Sequence, residues 1–68
     1  MKASTRNTVR ALQQRAAKLN ADAHIAAARA FDHPALRMDA MRAAKKADNF
    51  MTTAARTIEI LAEEDARF

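Results

Sequence analysis

The chain of 68 residues contains no cysteine, glycine, tryptophan or tyrosine, and only one proline. Each gap closes a possibility. Without cysteine there is neither a disulfide staple nor a thiolate metal site. Without glycine, the tight turns that join antiparallel strands lose the residue that reaches positive φ at no steric cost, so a sheet built of hairpins is excluded. Three phenylalanines are the only aromatic residues. No run of apolar residues approaches the ~20 needed to span a bilayer. No signal-peptide core follows the first residues, so a cytoplasmic protein is expected, with no membrane partner. The pairing of abundant alanine and arginine with scarce lysine points to a bacterial cell, a phage-infected one included.

What fills the space is alanine, the best helix former, at nearly every third position. The fold class expected is all-α. A domain of this size has little core of its own, and without disulfides it relies on long, well-packed helices or a second subunit.

Apolar spacing gives the organisation. Val9, Leu12, Ala16, Leu19, Ala23, Ala26 and Ala30 alternate steps of three and four, one stripe of a helix expected over about 4–31. Ser4 or Thr5 is expected to cap it. Asn20 and Asp22 are weak helix formers in mid-run, but the stripe holds its phase across them. Phe31-Asp32-His33-Pro34 punctuates the chain, because proline disfavours helical geometry in the residue before it. A turn at 32–34 is expected, with Asp32 capping the next helix, about 34–66. Leu36, Ala40, Ala43, Ala44, Ala47, Phe50, Met51, Ala54, Ile58 and Leu61 form its stripe, in phase through Asp48-Asn49 and Thr52-Thr53.

The two stripes make an antiparallel two-helix hairpin in a single domain. A turn centred there sets residue i near residue 65 − i, which puts Arg6 beside Glu59 and Lys2 near Glu63 and Glu64. One hairpin leaves apolar residues outside both stripes: Ala21, Ile25 and Ala28 on the first helix, then Phe31 and Met41. These are the expected interface of a homodimer, two hairpins closing into a four-helix bundle.

The sequence holds no phosphate-binding glycine loop, no His-Glu-x-x-His and no cysteine nucleophile. His24 and His33 stand nine residues apart and read as a helix-flank and a turn residue. No enzyme, cofactor or metal is expected. On the back of the second helix Met38, Arg42, Lys45, Asn49, Thr52 and Arg56 make a polar ridge at helical spacing. Regular donors suit a row of phosphates or an acidic protein groove, although any solvated helix face has the same period. Arg15, Lys18, Arg29 and Lys46 form a second basic band, a place for a small phosphate or nucleotide ligand if an oligomer gathers them. The function expected is a small, basic, phage- or mobile-element-type binding protein that docks on a larger protein and inhibits or scaffolds it. The alternative is a nucleic-acid-binding regulator of RNA or DNA that uses the ridge.

Overall fold

The computed structural model describes residues 2–67. Helix α1 runs Ala3–Asp32 and helix α2 runs Arg37–Arg67, joined through His33 and a 3-10 turn at Pro34–Leu36. The described residues contain no strand. The chain is an all-α hairpin.

Both helices run through their weak formers without interruption. Asn20 and Asp22 lie inside α1, and Asp48, Asn49, Thr52 and Thr53 inside α2. The Thr52 hydroxyl donates to the Asp48 carbonyl at 3.0 Å, one turn back, so its polar group is satisfied inside the helix. The chain reverses without positive φ anywhere among the described residues. His33 is extended (φ −131, ψ 90), as a residue before proline prefers. Its N–H donates to Arg29 O at 3.0 Å and its carbonyl accepts from Leu36 N–H at 2.9 Å, so both its backbone groups are satisfied.

The helix starts depart from expectation. The N-cap of α1 is Lys2, so Ser4 and Thr5 lie within the first turn and cap nothing. Asp32 is the last residue of α1, and no side chain caps the 3-10 turn that His33 opens. The N-terminal end of α1 is satisfied across the hairpin instead. Asp65, in the last turn of α2, accepts the Lys2 backbone N–H at 2.8 Å and the Thr5 hydroxyl at 3.0 Å. A carboxylate there meets the exposed donors and the positive end of the helix dipole.

That contact also fixes the register. Asp65 lies level with Lys2 to Thr5, most of a helical turn from the expected pairing. The reversal is centred on His33–Ala35 because α1 continues through Asp32, and each residue of displacement at a turn shifts the pairing by two. Arg6 and Glu59 accordingly form no ion pair, and Lys2 meets Asp65.

The seam is narrow and built of small side chains. From α1 it takes Thr5, Val9, Leu12, Ala16, Leu19, Ala23, Ala26 and Ala30; from the 3-10 turn, Leu36; and from α2, Ala40, Ala43, Ala47, Phe50, Ala54, Thr57, Ile58 and Leu61. Ala44 and Met51, expected inside, are exposed, and Thr57 turns inward in their place. The spacing is that of a heptad repeat, which holds two helices face to face over their whole length. Ala47 and Ala54 are the only fully buried apolar residues described, at 2% and 6% exposure. Every larger apolar side chain in the seam is half-buried.

The product is a rod of 52 × 16 × 10 Å with a radius of gyration of 15.6 Å, against about 11 Å for a compact chain of this length. Its accessible surface is 5514 Å². A compact monomer of 7.5 kDa would expose roughly 4,200 Å².

Candidate interaction surfaces

An antiparallel pair of heptad helices has two broad sides, one on each flank of the seam. On one side an open groove of about 590 Å³ runs between Asn20, Ala23, His24 and Ala27 of α1 and Ala44, Lys45, Ala47, Asp48 and Met51 of α2. On the other a smaller groove is lined by Ala26, Arg29, Leu36 and Asp39. These linings identify which flank of α1 faces which flank of α2. The seven-residue repeat then assigns the remaining positions.

The side with the larger groove is apolar. Following the repeat, Ala17, Ala27 and Phe31 of α1 share it with Met41, Ala44, Met51, Ala55, Ile58 and Ala62 of α2. Phe31 is 90% exposed, Met41 58% and Met51 38%, while Ile58 is half-buried at the seam edge. Asn20, His24, Lys45 and Asp48 are the polar residues lining its groove, and the same repeat puts Arg6, Arg10, Gln13 and Arg37 toward the ends of this side.

The opposite side is basic. Arg15, Lys18 and Arg29 of α1 lie there with Arg42, Lys46 and Arg56 of α2, against Asp22, Asp32, Asp39 and Glu63. Arg42 approaches Asp39 at 4.0 Å, with both side chains largely exposed, a pair that contributes little. Among the described residues, Arg15, Lys18, Arg29, Lys46 and Arg56 form no ion pair.

The residues singled out from the sequence are divided between these surfaces. Phe31 and Met41 come together on the apolar side. Ile25 lies on the basic side, and Ala21 and Ala28 on the outer back of α1. The ridge separates too: Met38, Lys45 and Thr52 occupy the outer back of α2, whereas Arg42, Asn49 and Arg56 are turned toward the basic side. There Arg42 and Arg56 join the second band of Arg15, Lys18, Arg29 and Lys46, so two sequence features become one surface. Sequence reasoning centred each helix on its own stripe and did not ask which flank faced which. The information was present, because flank positions of a heptad meet like with like when the helices are antiparallel.

The ionisation of Asp65 is displaced by its partners. The Lys2 backbone N–H and then the Thr5 hydroxyl hold its carboxyl below the ordinary aspartate value, with partial desolvation opposing them. Among the described residues, no three histidine or acidic side chains gather as a metal site, and no helix is long and apolar enough to cross a membrane. No protein-family model, curated protein or solved structure matches the chain.

Proposed function

We propose that the protein is a small non-enzymatic binding module that works as a dimer. Two hairpins join through their apolar sides into a four-helix bundle, and the bundle docks on a larger macromolecule as an inhibitor or scaffold. The observation that carries this reading is the surface of the single hairpin. It exposes roughly 1,300 Å² more than a compact monomer of its mass. A stable dimer needs about 800 Å² from each partner, and the apolar side is where Phe31, Met41 and Met51 stand exposed together. Small residues at Ala17, Ala27, Ala44 and Ala55 let a second pair of helices approach closely, and Phe31, Met41 and Met51 provide the larger contacts. Self-pairing of one face about a two-fold axis is the commonest way such a surface is covered.

Light scattering coupled to size exclusion tests it. At tens of micromolar the mass should be about twice the chain's 7.5 kDa. Met41→Asp, on the apolar side, should return the monomer, while Ile25→Asp, on the opposite side, should leave the dimer intact. A monomeric wild-type protein, or dissociation by Ile25→Asp alone, would refute this interface.

A further inference from the structure

We infer that the basic side of the hairpin is a docking surface for the phosphate backbone of duplex nucleic acid. Arg15, Lys18 and Arg29 form a row on α1, and Arg42, Lys46 and Arg56 form a parallel row on α2. Each row spans fourteen residue steps of helix, about 21 Å at 1.5 Å per residue. Asp22 and Asp39 are the acidic groups between them, and Asp32 and Glu63 stand on the same side just beyond their ends. Five of the six cations have no ion-pair partner, so their charge is available to an external anion.

The shape of the array selects among anions. A small phosphate ligand needs donors converging on one point, whereas these are strung along a rod, with a shallow opening lined by Ala26, Arg29, Leu36 and Asp39 near the reversal. An extended polyanion fits the rod. Protein interfaces draw most of their energy from aromatic and other large anchors seated in pockets. This side has Ile25 and Ile60, each about half exposed, and none of its described residues is aromatic. Single-stranded nucleic acid is ordinarily held by bases stacking on aromatic rings, which this side also lacks. Phosphates of a duplex ask only for regularly placed cations and hydrogen-bond donors, which Asn49 and Thr53 extend between Lys46 and Arg56.

The surface is complete in one hairpin and does not depend on the proposed dimer. In a bundle closed through the apolar sides, two copies of it would face outward in opposite directions.

Fluorescence anisotropy with labelled duplexes of about 20 base pairs, DNA and RNA, from roughly 50 to 200 mM salt tests the inference. Four to six phosphate contacts predict log K falling against log salt with a slope of about −4 to −5. Arg29→Gln and Lys46→Gln should each reduce the slope by about one, with helicity unchanged by circular dichroism. Arg10→Gln, on the other side of α1, should leave the slope unaltered. Absence of duplex binding at the lowest salt overturns the inference. So does tighter binding of single strands, or of polyglutamate as an acidic polypeptide, than of duplex. Repeating the titration with Met41→Asp separates the two proposals: a monomer that keeps the salt slope sustains the basic surface whatever becomes of the dimer.

Discussion

Truncating Phe31 isolates the energy of association from the energy of the hairpin. Its side chain is 90% exposed and touches neither seam, so Phe31→Ala removes nothing that holds α1 to α2. Burying a phenylalanine is worth ~1.5–3 kcal/mol, and a two-fold interface buries it twice, so the dimer should lose about 3–6 kcal/mol. That corresponds to a dissociation constant raised by roughly 10² to 10⁴. Sedimentation equilibrium from about 1 to 200 μM measures it directly, and the concentration dependence of the melting temperature should weaken in parallel. At concentrations low enough for both proteins to be monomeric, their melting curves should coincide. A dissociation constant within threefold of wild type would show that Phe31 stays in water in the assembly (roughly 0.6 kcal/mol or less), and the apolar side as drawn would be wrong.

Two further predictions concern the hairpin itself. Ala54 is 6% exposed in a seam of small residues, so Ala54→Leu should overpack it and cost about 1–3 kcal/mol in urea unfolding; an unchanged midpoint would mean the helices do not meet there. Asp65 has its pKa lowered in the folded state, so its contribution is complete above the unfolded value of about 4 and is lost as pH falls through the folded one. Asp65→Asn should be less stable at neutral pH and lose less stability between about pH 4 and 2 than wild type, followed by urea melts across pH. Equal acid sensitivity in the two proteins would place the acid-labile contact elsewhere.

Both helices, the reversal at Pro34 and most of the seam were legible because they rest on local chemistry: alanine content, apolar spacing and the restriction that proline imposes on His33. The α1 stripe from Val9 to Ala30 lies inward residue for residue. What escaped depends on the distance between the helices and on where the reversal is centred. Thr57 turns in and Met51 out because an alanine-rich seam is too narrow for the full width of the α2 stripe. Asp65 stands next to Glu63 and Glu64, the residues expected to meet Lys2. Its actual partners are a backbone N–H and a hydroxyl, and no charge pattern can announce those. The two broad sides were hidden for a related reason. Ile25 and Phe31 are both apolar and both outside the stripe, and only their positions relative to the seam of α1 show that they flank it on opposite sides.

The position of Asp65 at the far end from the reversal has a kinetic meaning. Pairs near His33 close short loops, whereas the Lys2–Asp65 hydrogen bond spans 63 residues. Each doubling of loop length adds only about 0.6 kcal/mol of closure entropy, and a hairpin that zips outward from its turn meets that cost in small steps. The carboxylate is then a latch, the last contact made and the first released. Amide exchange should accordingly be fastest beside Lys2 and Asp65 and slow progressively toward Ala26 and Ala40, with acid steepening that gradient from the latched end while the reversal stays shut.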